Sequence, residues 1–478
     1  MKHDAYRGAK EVCEKLQAGG FEAYLVGGCV RDALLGAPPK DFDIATSAKP
    51  DKIRKLFDKT AEVAPGEAYS VVVIGVGDCR FEVATFRRDL DSVDNRRPTA
   101  VEFASLDEDA GRRDFTVNAL YLDPVTMQLV DLVGGLDDLD AKRLRFVGDP
   151  ARRIDEDRLR VLRAVRFKNR FGFDYAPETA TTLRTIGRGE TPTNSPFERG
   201  SPPDSKSVEA GARGYLLPIK SERVQDELTR MLEHTSRAES LTDMDKFGLL
   251  GVFLPEIAAE KGVIQPKEFH GEGDVFVHTL DVMRHLPEKP SATLAWASLL
   301  HDVGKPSVQM IDNDRRIRFF GHAEKGSLVA REILTRLRFS KREVEDISWL
   351  VLFHMGPMGL VAMRPAKREA LMRERLFPEL IALYRADTLG SRFSDDAKKN
   401  KELDGVMALW QEFRRRPAVE REKSLKDIGV DGNMVIRVLE LAEGGPAVRK
   451  ALEGLNVAFL EGKIKNQEEA IDWLKANR

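Results

Sequence analysis

The chain is poor in cysteine. Its 478 residues hold three, Cys13, Cys29 and Cys79. They are scattered and odd in number, which excludes a disulfide framework and a cysteine-ligated metal site and fits a reducing, cytoplasmic setting. Long apolar runs are missing too. None approaches the ~20 residues of a membrane span, and the opening MKHDAYRGAK lacks a signal-peptide core, so no membrane partner is expected. There is no excess of one charge, since 76 Lys and Arg stand against 78 Asp and Glu for a net charge of −2. Contact with a polyanion must therefore come from local basic patches. What the chain does have is 42% hydrophobic and 32% charged residues, enough for proper cores in roughly two to four domains.

The stretch that organises the chain is 24–46, YLVGGCVRDALLGAPPKDFDIAT. Residues 24–26 form an apolar run closed by Gly27 and Gly28, which predicts a buried strand and a tight turn. Lacking Cβ atoms, the two glycines let the backbone approach a ligand. Residues 30–35 read as a short helix stopped by Gly36 and Pro38. A second strand then carries Asp41 and Asp43 around Phe42. Alternation sends both carboxylates one way and Phe42 toward the core. Two acids on one face repel unless a cation lies between them, and a divalent metal bound to phosphate oxygens is the usual reason for such a pair. A solvent-facing pair at a strand end is the plainer alternative.

The combination of GGxVRD with DxD resembles the catalytic strand pair of the nucleotidyltransferases that include tRNA CCA-adding enzymes and bacterial poly(A) polymerases. The resemblance implies that Asp41 and Asp43 are catalytic and hold Mg²⁺, and that Gly27, Gly28 and Arg31 cradle a triphosphate. Helices are predicted over 8–20 and 49–58, and strands over 70–77 and 80–86. Glu82, between Phe81 and Val83, is either a third acid beside the metal or an edge residue. Arg87-Arg88 and Arg96-Arg97 bracket an acidic loop, LDSVDN.

In GRRDFTVNALYLDP, Arg112, Arg113 and Asp114 precede Asn118. Arginine forks suit triphosphate oxygens, with structural ion pairing as the competing reading. RRDFTVNAL matches the second motif of the same family, and the resemblance implies nucleotide contacts for Arg112, Asp114 and Asn118. It continues through LVDLVGGLDDL and VGDP.

Residues 154–167, IDEDRLRVLRAVRF, predict one helix with Leu159, Leu162 and Val165 as its core stripe. Asp157 and Arg160 share another face. As a surface ion pair they would contribute under ~1 kcal/mol. They also suit the Watson–Crick edges of cytosine and adenine, where an amino donor lies beside a ring-nitrogen acceptor. Uracil and guanine reverse both. The EDxxR pattern resembles the template helix of the CCA-adding enzymes, with Arg163 and Arg166 extending its basic face toward phosphates.

Residues 187–214, rich in Gly, Pro and Ser, predict a disordered insertion. Helical patterning resumes at Ser221, read as an N-cap. A second constellation follows: His278 in DVFVHTLDVM, His301-Asp302 in LLHDVGKP, His322 in FFGHAEKG, His354 in LVLFHMGP and Asp387 in LYRADTLG, with Lys305 close behind His301. A lone histidine on such a pattern is usually a core residue, but this order resembles the two-metal members of the HD phosphohydrolase superfamily. That implies six metal ligands with Asp302 bridging, and imidazole with carboxylate suits Mn, Fe, Ni, Co or Zn better than Mg. His270 matches no ligand position.

The expected fold is α+β: a nucleotidyltransferase head with a mixed sheet (1–145), an all-α neck and body (146–268), an HD domain (269–395) and a helical tail (396–478). The resemblance implies template-independent addition of C, C and A to the 3′ end of tRNA from CTP and ATP, together with a phosphohydrolase activity. Poly(A) synthesis, CC-only or A-only addition, and an HD phosphohydrolase with an RNA-binding head are the alternatives.

Overall fold

The computed structural model describes the chain apart from residues 1, 59, 63–70, 90–100, 191–213, 217–218, 267–272, 392–395, 418–422, 442 and 478. The insertion, for the most part, the acidic loop with Arg96 and Arg97, and His270 lie outside the described residues. Two compact units, Met1–Pro255 and Glu256–Arg478, divide the chain.

The first unit is built on a mixed sheet. Its strands are β1 (Ala23–Val26), β2 (Asp43–Thr46), β3 (Thr60–Glu62), β4 (Val71–Val76) and β5 (Cys79–Thr85). Arg87–Asp89 (β6) pairs separately with Val101–Phe103 (β7), and Leu120–Leu122 (β8) and Leu129–Asp131 (β9) complete the main sheet in the order β3-β4-β5-β2-β1-β8-β9. β1 runs antiparallel to both neighbours, while β2 and β5 are parallel. The central strands are buried on both faces, as their unbroken apolar runs require: Leu25 and Val26, adjacent in β1, are both buried, as are Ile44 and Ala45. The helix Lys2–Ala18 buries Val12, Cys13 and Leu16, and Val26, Ala45, Phe86, Ala110 and Tyr121 form a separate buried cluster.

Three local expectations need correction. The strand β2 begins at Asp43, so Asp41 precedes it, and Phe42 is half-buried against Tyr6, with ring centroids 5.9 Å apart, instead of lying in the core. The helix expected over 154–167 is two helices, Pro150–Glu156 and Arg160–Phe171, broken at Asp157, whose backbone is extended (φ −151°, ψ 99°). The Asp157 carboxylate accepts from the Leu159 amide at 3.2 Å, a local bond that competes with helix continuation. Ser221 is the first residue of Ser221–Leu232 and makes no side-chain cap; the N-cap is Lys220.

The second unit is helical. Val275–His285, Ala292–Leu300, His322–Arg336, Lys341–Phe353 and Phe377–Gly390 pack around Trp296, Leu299, Leu350 and Phe377. Gly304 lets the His301-Asp302 turn close on its neighbour, since a Cβ there would stand 2.2 Å from the His322 carbonyl. Further on, Gly432–Leu439, Pro446–Leu460 and Gln467–Ala476 share a small core of their own. Among the described residues, no helix is long and apolar enough to cross a membrane.

Candidate functional site

In the head, register brings the glycine turn to the acids. Val26, the last residue of β1, pairs with Asp43, the first of β2, so the turn at Gly27 (φ 73°) lies beside the Asp43 carboxylate. That positive φ favours glycine strongly. Asp41 and Asp43 are both exposed, and neither forms an ion pair among the described residues. The Asp43 carboxyl is raised by desolvation, then by Glu82 and, more weakly, by Asp41, with Arg113 opposing. Because β2 and β5 pair Ile44 with Val83, Glu82 stands next to Asp43. Three acids thus crowd one rim with a single arginine against them. An oxygen-only, exposed donor set with uncompensated negative charge fits a hard divalent cation.

The other residues singled out from the sequence do not all face this rim freely. Arg31 is buried; its guanidinium donates to Asp32 Oδ1 (Nε 2.9 Å, Nη2 2.5 Å) and to Asn118 Oδ1, and lies over the Phe171 ring at 4.4 Å. Asn118 donates to Asp114 at 3.0 Å, and Asp114 accepts from Arg163 (Nε 3.0 Å, Nη2 2.5 Å). Burial alone would raise the Asp114 carboxyl, but Arg163 and Asn118 outweigh it and push it down to about 2. The network runs on to Glu227, which accepts from Arg166 (Nε 2.5 Å) and reaches Arg163 at 3.5 Å. Arg31, Asp114, Asn118, Arg163 and Arg166 are therefore linked in one chain of charge-assisted bonds.

Asp157 and Arg160 form a neighbouring group. Arg160 donates to Glu156 (2.9 Å), to the Arg153 carbonyl (2.6 Å) and to the Arg112 carbonyl (3.1 Å). Asp157 receives a two-pronged bond from Arg223, at 2.9 and 2.7 Å. The Arg112 guanidinium pairs with Asp109 (Nε 2.9 Å, Nη2 2.7 Å). Arg113 donates to Tyr121 (2.9 Å) and Asp109 (3.1 Å). Asp32 and Asp109 pair with arginines one to four residues away and were passed over as partners, whereas Arg223 and Glu227 act on residues more than sixty positions away. The i, i+4 spacing of Arg223 and Glu227 on an amphipathic helix was the one available hint.

In the second unit six residues converge from five helices or their ends. His278 lies within Val275–His285, and His301 ends Ala292–Leu300 with Asp302 beside it. His322 opens His322–Arg336, His354 ends Lys341–Phe353, and Asp387 lies in Phe377–Gly390. They split into two halves about Asp302. Its Oδ2 faces His301 Nε2 (3.1 Å) and His278 Nε2 (3.7 Å), while Oδ1 faces His322 Nε2 (3.6 Å) and His354 Nε2 (4.0 Å). Asp387 Oδ1 completes the first half, 3.0 Å from His278 and 3.9 Å from His301.

The imidazoles are aimed. The Nδ1 atoms of His301, His322 and His354 meet the carbonyls of Ser298, Phe319 and Val351 at 2.8, 2.9 and 2.7 Å. A carbonyl only accepts, so each Nδ1 carries the proton and each Nε2 turns a lone pair inward. The inward nitrogens stand 3.3 Å apart in both halves, His278 to His301 and His322 to His354. Lone pairs brought together in this way, with a carboxylate between them, fit two nitrogen-preferring divalent metals. Burial, then the neighbouring His301, lowers His354 to about 4, so the imidazole stays neutral. Against the upward pull of burial, His301 and Lys305 hold the Asp302 carboxyl well below the usual carboxylate range, and His278 and His301 do the same for Asp387. Lys305 Nζ lies 2.7 Å from Asp302 Oδ2 and donates to Gln265 at 2.5 Å.

Comparison with known proteins finds family matches over both sites. Residues 23–145 match the family model described as the poly A polymerase head domain, 212–261 match the "Probable RNA and SrmB- binding site of polymerase A", and 275–391 match the HD domain. A CCA-adding enzyme of Streptococcus pneumoniae is 47% identical over 182 residues, which is 38% of this chain and 45% of the relative. One from Leuconostoc citreum is 46% identical over 181 residues, 38% of this chain and 44% of that protein. The chain thus spans less than half the length of these curated relatives. Among solved structures, the Bacillus stearothermophilus CCA-adding enzyme in complex with CTP superposes with a TM-score of 0.67 at 24% identity, covering 99% of this chain and 97% of that one. The Thermotoga maritima CCA-adding enzyme complexed with tRNA gives 0.56 at 18% identity, covering 98% and 94%. These two likenesses are of fold.

Proposed function

From a poly(A) polymerase head and an HD domain carried on one chain, we propose a tRNA nucleotidyltransferase that adds C, C and A to the tRNA 3′ end from CTP and ATP in the cytoplasm. The observation that carries the reading is the rim of three acids, Asp41, Asp43 and Glu82, beside the glycine turn. Asp41 and Asp43 are the residues that would hold Mg²⁺. Bound there, Mg²⁺ supplies Lewis-acid activation of the tRNA 3′ hydroxyl and neutralises charge on the departing pyrophosphate.

The chain's own residues do the rest. Gly27 and Gly28 admit the triphosphate close to the backbone. Arg31, Arg112 and Asn118 would form the wall against its phosphates and sugar, with Asp114 holding Asn118 and Arg163 in place and Arg166 bound behind them to Glu227. Asp157 accepts from the base amino group while Arg160 donates to the ring nitrogen, so cytosine and adenine fit and uracil and guanine present the wrong group at both places.

The test is incubation of tRNA ending at the discriminator base with CTP alone, ATP alone, and both. Two C additions with CTP, and completion to CCA only with both, are expected. Unlimited extension with ATP alone would make the protein a poly(A) polymerase. Stopping after CC or failing to add C would make it a CC-only or A-only enzyme.

A second activity is favoured by the two halves about Asp302. His278, His301, Asp302, His322, His354 and Asp387 would hold two ions of Mn, Fe, Ni, Co or Zn, which supply Lewis-acid hydrolysis of a phosphate ester. Turnover of 2′,3′-cyclic AMP with each metal, in the Asp41→Ala variant, measures it without the head. Activity that survives Asp41→Ala and vanishes in Asp302→Ala is the expected result; no turnover with any of the five metals would remove this second reading.

A further inference from the structure

We infer that Arg223 is a positioning residue that sets which nucleobases the head accepts, an inference that rests on the nucleotidyltransferase reading above. Asp157 stands at the break between two helices, where no helical backbone fixes its side chain. Arg223 fixes it from another element, with Nη1 2.9 Å from Oδ1 and Nη2 2.7 Å from Oδ2. A planar guanidinium bound to both oxygens locks the plane of the carboxylate as well as its place, which a lysine ammonium cannot do.

The lone pairs can be counted. An ionised carboxylate offers about four acceptor directions. Arg223 fills one on each oxygen, and the Leu159 amide fills the second on Oδ1 at 3.2 Å. Among the described residues, one direction is left, on Oδ2. A single remaining acceptor takes a single donor, the amino group of cytosine or adenine, and meets the carbonyl of uracil or guanine acceptor to acceptor. Released from Arg223, the same carboxylate can rotate and take an N–H from a shifted base. Discrimination therefore depends on Arg223, which holds the carboxylate without occupying that last direction.

Arg223 is not needed to dock its own helix. Ser221–Leu232 buries Val224, Leu228, Met231 and Leu232, and Glu227, one turn on, binds Arg166. The Arg223–Asp157 pair is itself 22% exposed on each side.

The experiment uses the full chain, with tRNA ending at the discriminator base for CTP and UTP and tRNA ending in CC for ATP and GTP, each nucleotide supplied separately. It measures kcat/KM for wild type, Arg223→Met and Arg223→Lys, with the melting temperature of each. Arg223→Met is expected to lower the CTP/UTP and ATP/GTP ratios by about 10- to 100-fold, the scale of one base-edge contact pair, with tRNA affinity unchanged. Arg223→Lys keeps the charge without the fork and is expected to fall between. A purely structural role would lower all four rates alike, leave the ratios unchanged and overturn the inference. Should Arg223→Met fail to fold, Arg223→Lys decides by the same ratios. If wild type adds neither C nor A, the nucleotidyltransferase reading fails first. If wild type adds both and the ratios hold in the variants, only the role of Arg223 fails.

Discussion

The rim of acids in the head and the His-Asp cluster of the second unit are opposite kinds of candidate metal site. In the head, Asp41 and Asp43 are exposed and like-charged, and the Asp43 carboxyl is raised by desolvation and by Glu82. In the HD unit, His278, His301 and Asp302 form one cluster with ligand atoms within 4.8 Å, Asp302, His322 and His354 form another, and all but His322 are buried. An exposed, self-repelling set of oxygens suits an ion that arrives on a triphosphate and leaves with pyrophosphate. A buried, oriented set of imidazoles suits an ion that stays. Exposure and donor type, more than the number of ligands, separate a site that exchanges its metal from one that keeps it.

The comparison breaks most sharply at the head acids. Asp43→Ala is expected to reduce nucleotide incorporation by about 10³-fold or more, the scale of several kcal/mol of metal-borne charge stabilisation, while tRNA binding and any hydrolysis by the HD unit persist. A gel-based incorporation assay beside a filter-binding assay checks it. In the HD unit, Asp302→Asn is expected to abolish tight binding of two transition-metal ions per chain, read by elemental analysis after dialysis, with incorporation by the head kept. Retention of both ions would contradict the bridging role of Asp302.

Glu82→Gln sharpens the comparison at a middle scale. Removing one carboxylate beside Asp43 is expected to slow incorporation about 10-fold and to raise the Mg²⁺ concentration needed for half-maximal rate. A rate unchanged at every Mg²⁺ concentration would make Glu82 an edge residue.

The smallest effect is one of pH. His354 ordinarily titrates near 6.5 and is lowered to about 4 in the folded chain. The unfolded chain therefore takes up this proton first as the pH falls. Stability from the neutral imidazole is complete above 6.5 and is lost between 6.5 and 4. Chelator-treated protein is expected to melt at progressively lower temperature across that window, and His354→Gln to flatten the dependence.

Legibility in the sequence followed range. The glycine turn, the two head acids and the His-Asp pattern are local signals made of residue types with few other uses in those positions; the structure sets the turn beside the acids in the first unit and the histidines around Asp302 in the second. The sheet and the helical second half follow from apolar periodicity. The helix break at Asp157 was not legible, because Leu159, Leu162 and Val165 keep helical spacing through it while one side-chain bond to the Leu159 amide ends the first helix. The adjacency of Glu82 and Asp43 depends on a parallel register between β2 and β5, and register is not written in either strand alone. Arg223 and Glu227, the partners of Asp157 and of Arg163 and Arg166, come from packing across elements, whereas Asp32 and Asp109 are local partners of Arg31 and of Arg112 and Arg113.

The most direct test is to sequence tRNA 3′ ends after incubation of the full chain with Mg²⁺ and all four nucleoside triphosphates. The account predicts ends finished as CCA, with U and G absent, and no addition by the Asp43→Ala variant. Ends carrying U or G as often as C or A, or normal CCA ends made by Asp43→Ala, would contradict it.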